Sequence, residues 1–303
     1  MPAKSTSPPS VKGVKAIGTT PWRDMGAVYK HLFRRGTHGL PAMGYHDEPM
    51  RLASAEIGGN EVAVVLWAGG ALPLAEISDP DGWPTGLLSL LEGVRLDDLR
   101  LRWDGLSGRE LEDLAVRAMP AEDLTYAPDR RPRKIWGIGL NYAEPAGDLD
   151  EAAPAEEPAS FVRPDTTIIG PGDKIRLPED VGRVTIWAEL AGVIGRRARD
   201  FSEDEAPSVM AGFTTVLDMT AEDILRKNPR CLTRAKSFET FLSFGPHLLT
   251  PDEVGEVEEV EVATLLIGEV RRLNTVSKMT FSPYRLVSFH SRVRTLLPSN
   301  DTN

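Results

Sequence analysis

From residue 50 onward, apolar and polar positions alternate in short runs rather than in long helical stripes. The segments RLASAEI (51–57), EVAVVLW (61–67) and ALPLAEI (71–77) read as strands, set apart by Gly-Gly-Asn and Gly-Gly turns. Two helical segments are predicted after them, at Thr85–Leu91 and Gly108–Arg117. Pro128–Arg133 is polar and bounded by proline, which suits a linker. Beyond it, IWGIGLNY (135–142) predicts a strand running into a Gly/Asn turn, and IIGPGDKIRLP (168–178) a turn between two strands. Strands are expected at 184–195 and 212–218 with a helix at 202–210 between them. A helical or looped stretch at 220–229, a loop carrying Lys236 and short strands at 246–249 and 260–267 complete the pattern. The fold class expected is therefore α+β and β-rich, with a small N-terminal α/β module.

The flanks and loops differ in texture. Residues 1–20 carry Ser, Thr, Pro and Lys with no acid before Asp24, and a disordered tail is expected. PWRDMGAVYKHLFRR (21–35) has helical spacing and reads as a short basic packing arm. Residues 144–157 are acidic and rich in Ala and Pro, and a mobile loop is expected there. The chain thus divides into an extension at 1–49, a module at 50–128 and a larger unit at 129–303.

Composition narrows the function classes. A hydrophobic share of 41% provides for an ordinary core. The net charge of −10 opposes nucleic-acid binding, which needs a basic face. No apolar run is long enough to span a bilayer, and no secretory signal is visible. A single cysteine, Cys231, excludes an intrachain disulfide and suits a reducing compartment; a cytoplasmic protein with a small-molecule substrate is expected. Cys231 reads as a structural residue, because no histidine partner for a nucleophile stands near it. His31, His38, His46, His247 and His290 read as structural or solvated.

Chemistry concentrates in TIWAELAGVIG (185–195), where Glu189 is the one carboxylate of an apolar strand. An unpaired ionised carboxylate is costly in such surroundings, so Glu189 is either paired, for instance with Lys236 or an arginine, or functional. Asp218 in VLDMTAED and Lys236 in RAKSFETF are the natural companions, although Asp218 in that context can also cap a following helix.

The ordered blocks KIWGIGLNYAEP, PASFVRPDTTIIGPGDKIRLP, AELAGVIGRRARDFSEDEA, AGFTTVLDMTAED, RAKSFETFLSFGP, GEVRR, NTVSKMTFS and RTLLP resemble the fumarylacetoacetate hydrolase superfamily over residues 50–297. The resemblance implies a mixed β-sandwich roll after the N-terminal module, a homodimer, and an active site at the mouth of the roll under a lid. It also implies Mg²⁺ or Mn²⁺ held by a Glu-x-Glu pair and an Asp, chelating a 2-oxo acid and stabilising an enolate. Position by position, Glu189 matches the second glutamate, Asp218 the aspartate and Lys236 the lysine; Arg163 stands where a basic residue is usual. Asn141, Tyr142 and Asp148 of the lid segment, with Arg163 and Trp187, are placed at the substrate.

Several positions depart from the family pattern. Trp187 replaces the first glutamate, Pro145 the lid histidine, Asp148 the lid glutamate and Glu239 an aspartate. The Thr-Gly-Thr-Pro segment expected near the C-terminus has no counterpart. Two carboxylates, Glu189 and Asp218, leave a metal site that is weakened or lost, so the cofactor is either none or weakly held Mg²⁺ or Mn²⁺. Without a metal, Glu189, Asp218 and Lys236 form an acid/base cluster with Trp187 as an apolar wall. The reading is a diverged enzyme acting on a β-dicarbonyl or 2-oxo compound through an enol(ate), as an isomerase, decarboxylase, lyase or cyclase. The alternatives are a non-catalytic homologue that binds or pairs with a partner subunit, and a metal-dependent C–C bond hydrolase with a rearranged site.

Overall fold

The computed structural model describes residues 50–298 apart from 68–69, 129–131, 133, 143–155 and 268, together with the backbone of 301–302. The extension at 1–49 with its basic helix and His31, His38 and His46 lies outside the described residues. So do Pro145 and Asp148 and most of the acidic loop. Among the described residues, no helix is long and apolar enough to cross a membrane.

Three antiparallel strands open the fold: β1 (Arg51–Ile57), β2 (Asn60–Trp67) and β3 (Gly70–Pro73), as the alternation predicts. The third is shorter than expected, because Leu74–Glu76 turns into a 3₁₀ helix after Pro73. Helices α1 (Leu87–Glu92), α2 (Leu96–Asp104) and α3 (Gly108–Arg117) follow, then β4 (Met119–Pro120). Ser107 and Glu110 form a capping box that starts α3 and satisfies its first N–H groups. α2 is absent from the sequence reading; Leu99 and Trp103, four apart, are its buried face.

The larger unit contains β5 (Lys134–Gly139), β6 (Ala159–Arg163), β7 (Ile168–Ile169) and the long hairpin of β8 (Val184–Ile194) and β9 (Met210–Ala221). The expected helix at 202–210 is a 3₁₀ turn at Glu203–Glu205 running into α4 (Ala206–Val209). α5 (Glu222–Lys227) and α6 (Leu232–Lys236) precede β10 (Leu242–Phe244) and β11 (His247–Leu248). Lys236 therefore ends a helix and does not sit in the expected loop. After α7 (Pro251–Val254) comes a separate hairpin of β12 (Glu261–Leu266) and β13 (Glu269–Thr275), then α8 (Pro283–Val293) and β14 (Asp301–Thr302). α8 also escaped the sequence reading, although Ser282 caps it and Pro283 starts it.

Two larger sheets result. The first runs β11-β1-β2-β3-β4, so its edge strand is supplied by the second unit, with Leu52 opposite Leu248 and Ala53 opposite His247. The second is mixed, in the order β6-β5-β14-β8-β9-β10-β7. One apolar core joins Trp67, Leu90 and Leu111 of the first unit to Val193, Val216 and Phe244 of the second. Burying these side chains against each other makes the two units one packing body, at roughly 25 cal/mol per Å² of apolar surface withdrawn from water.

Two glycines let backbones approach. A Cβ on Gly137 would fall 2.0 Å from Cζ of Phe161, its cross-strand partner, so the Phe161 ring lies over the bare glycine. At Gly212 (φ +153) a Cβ would meet the Leu249 carbonyl oxygen at 1.9 Å. The β8–β9 register slips there between Val193 and Ile194, which bends the hairpin.

Candidate active site

β8 and β9 place the candidate residues by register. Trp187 is directly opposite Asp218, and Thr185 directly opposite Thr220. Glu189 is opposite Val216, one same-face step beyond Trp187. Asp218 is therefore mid-strand and caps nothing; Ala221 is the N-cap of α5, which has no side-chain cap.

Asp218 is held from two directions. Lys236 at the end of α6 donates from Nζ to Asp218 Oδ2 at 2.5 Å and to Thr220 Oγ1 at 2.7 Å. Arg163 at the end of β6 donates from Nη2 to Asp218 Oδ1 and from Nη1 to the Phe241 carbonyl at 2.6 Å. Arg163 is almost fully buried, and Lys236 lies 5.3 Å from the Phe161 ring centroid. Burial pushes the Asp218 carboxyl up, but the Lys236 ammonium and the Arg163 guanidinium outweigh it and hold the group below its ordinary value.

Glu189 is partly buried and makes no ion pair with a described residue. Burial, and then the negative charge of Asp218, push its carboxyl up to about 7, against the opposing charges of Lys236 and Arg272. Two neighbouring carboxylates thus differ sharply in protonation at neutral pH, the separation that distinguishes an acid/base group from a charge-holding one.

Arg272 is the residue that sequence reasoning missed. It sits on β13 opposite Thr264 of β12, and Thr264 Oγ1 accepts from the backbone N–H of Ala188 at 3.0 Å. That tether docks the hairpin beside β8 and brings the Arg272 guanidinium 4.0 Å from the Trp187 ring centroid. The segment GEVRR was visible as a family block, but nothing local marks one arginine of an exposed hairpin as belonging to the site.

The remaining predicted residues separate. The Tyr142 hydroxyl is buried with no hydrogen-bond partner among the described residues, and burial, then the charge of Glu189, push it above its ordinary value. Asn141, expected at the substrate, spends its amide elsewhere: Nδ2 donates to the Phe281 carbonyl at 2.9 Å and Oδ1 accepts from the Phe281 N–H at 3.0 Å. It tethers β5 to the segment before α8. Cys231 precedes α6 and is partly buried, and His247 and His290 are core residues. Among the described residues, no three His, Cys, Asp or Glu side chains are grouped to hold a metal ion.

Comparisons with known proteins bear on the family and the fold. A family model described as fumarylacetoacetate (FAA) hydrolase C-terminal matches residues 134–300. An uncharacterised protein of Pyrococcus horikoshii is 33% identical over 193 residues, 63% of this chain and 82% of that one. The mitochondrial oxaloacetate tautomerase of Bos taurus is 32% identical over 184 residues, 60% of this chain but only 58% of the tautomerase. The solved 5-carboxymethyl-2-hydroxymuconate delta-isomerase from Mycobacterium smegmatis superposes with a TM-score of 0.62 at 27% identity, covering 84% of this chain and 86% of that one. The 2-hydroxyhepta-2,4-diene-1,7-dioate isomerase from Mycobacterium marinum gives a TM-score of 0.62 at 26% identity, covering 84% and 85%.

Proposed function

The chain belongs to the fumarylacetoacetate hydrolase family, and from that premise we propose that it is an isomerase of enol–keto type, acting on a small 2-oxo or β-dicarbonyl acid without a divalent metal. The observation that carries the reading is Glu189, a carboxyl poised at about 7 beside an Asp218 that is held ionised. In its acid form Glu189 protonates the enol carbon; the enol hydroxyl loses its proton, which returns to the carboxylate through water. No atom is gained or lost, so the step is an isomerisation. Lys236, with one N–H left after Asp218 and Thr220, stabilises charge that develops on the substrate oxygen.

The donor set does not fit a divalent ion. Both oxygens of Asp218 are engaged by cations, and Trp187 stands directly across from it where a carboxylate would complete a ligand set. Among the described residues, the carboxylates that meet the charges of Lys236, Arg163 and Arg272 are Asp218 and Glu189, whose carboxyl is pushed up to about 7. The excess of positive charge favours an anionic substrate and opposes a second cation. Decarboxylase, lyase and cyclase outcomes share the same enolate and differ in what the substrate carries.

The test takes its substrates from the relatives' names. Conversion of enol to keto oxaloacetate, and isomerisation of a hydroxymuconate, are followed by ultraviolet absorbance in the presence of EDTA, for wild type and Glu189→Gln. The wild type is expected to accelerate at least one of them, and Glu189→Gln to lose about 10²–10⁴-fold of that rate. Equal rates for the two proteins, or no acceleration of either compound, would support the rival reading of a non-catalytic homologue.

A further inference from the structure

We infer that Arg272, laid on the Trp187 indole on the strand face that carries Glu189, is the group that binds the substrate's carboxylate, in the role that a divalent ion would otherwise fill. The inference rests on the reading above for its substrate class, a small 2-oxo acid, and adds which residue recognises it.

Four observations converge. The guanidinium is fixed from beneath by the indole, 4.0 Å from its centroid, and along the chain by the Thr264–Ala188 hydrogen bond across the strand pair. With the Asn274 amide turned so that its oxygen faces the guanidinium, Arg272 Nε donates to it at 3.0 Å. Among the described residues, the contacts of Arg272 are the Trp187 ring and, through Nε, Asn274, and no hydrogen bond or ion pair engages its two terminal nitrogens. The indole it lies on belongs to Trp187, two residues before Glu189 on the same face of β8, so the guanidinium and the proposed acid/base group share that face.

A planar fork with two unused donors matches a carboxylate in bidentate fashion, and a stacked ring restricts the fork's freedom before the ligand arrives. The Tyr142 hydroxyl, buried with no hydrogen-bond partner among the described residues, offers one further hydrogen bond. Trp187 thereby acquires a reason: it replaces a carboxylate by a shelf for a cation. The positive charge at the site moves from a bound ion to a side chain.

The test uses oxalate, an unreactive dicarboxylate, titrated into the full chain by calorimetry in EDTA and again with excess Mg²⁺. The wild type is expected to bind oxalate in EDTA, with no gain from Mg²⁺ beyond oxalate's own chelation. Arg272→Gln is expected to weaken binding by about 10- to 100-fold, and Arg272→Lys to recover only part of it, because an ammonium keeps the charge and loses the fork. Both variants should keep the wild-type melting temperature within a few degrees, since Arg272 lies on a half-exposed hairpin. Oxalate binding that requires Mg²⁺, no binding by the wild type, or unchanged affinity in Arg272→Gln would each overturn the assignment. Glu189→Gln separates this inference from the proposed function. It should lower turnover by about 10²–10⁴-fold and leave oxalate affinity within about threefold, since the neutral amide keeps the shape of the protonated acid.

Discussion

Whether Asp218 is owned by its cations or free for other partners is measurable as a coupling energy with Lys236. The side chains of Lys236 and Asp218 are 11% and 17% exposed, and their 2.5 Å contact is therefore largely shielded from water. Replacing Lys236 by Met removes one charge-assisted hydrogen bond and leaves Asp218 to Arg163 alone, for a loss of about 2–3 kcal/mol. Replacing Asp218 by Asn leaves Lys236 and Arg163 adjacent without a counter-charge, for about 3–5 kcal/mol. In the double variant the ammonium and the charge it faced are both gone, so the losses should fall short of additivity by about 2 kcal/mol. Urea denaturation of the four proteins at pH 7.5, analysed as a double-mutant cycle, gives the coupling directly. A coupling below about 0.5 kcal/mol, the range of a solvent-screened surface pair, would refute the argument. Asp218 would then be free to serve as a ligand, and the case against a metal would lose its main support.

Two further predictions use other parts of the molecule. In Trp187→Glu a carboxylate directly opposite Asp218 replaces the arginine's shelf; Mn²⁺ is expected to raise its melting temperature and to leave the wild type unchanged, and an equal rise in both would show that the natural donor set suffices. His290 packs 5.1 Å from the Trp136 centroid, and burial, then the charge of Arg294, hold it down at about 4. Its unfolded form takes up a proton below about 6.5 while the folded form resists, so its contribution is intact above about 6.5 and is lost as pH falls towards 4, by up to about 3 kcal/mol. His290→Phe should flatten that part of the stability curve, and parallel curves for variant and wild type would exclude the histidine as its source.

The parts of the fold that were legible are those with a local signature. Short apolar runs bounded by turn residues marked β1, β2 and the β8–β9 hairpin, because a strand covered on both faces reads as a nearly continuous apolar stretch. IWGIGLNY read as a strand running into a turn, and nothing along the chain showed that Gly137 leaves room for the Phe161 ring. α2 and α8 were passed over although both carry helical spacing, and Ser282-Pro283 is an ordinary start signal. Lys236 was identified by its neighbours in sequence, yet its place at a helix end aims Nζ at Asp218 and Thr220, which a loop assignment does not provide. Asn141 shows the converse. A polar residue at a strand-to-loop junction reads as ligand-binding until the Phe281 backbone, 140 residues away, takes up its amide.

By itself the sequence determined the family, the identity of Glu189, Asp218 and Lys236, and the loss of a carboxylate at Trp187. These are properties of residue type and spacing, and they persist in an extended chain. Only the tertiary structure decided what surrounds that position. Cross-strand register set Trp187 against Asp218, Arg163 crossed 55 residues to share that aspartate with Lys236, and a hairpin tethered through Thr264 carried Arg272 onto the indole. The charge at a site is the sum over groups that folding brings together, and the strength of each interaction depends on how much water is excluded around it. Neither quantity is written along the chain.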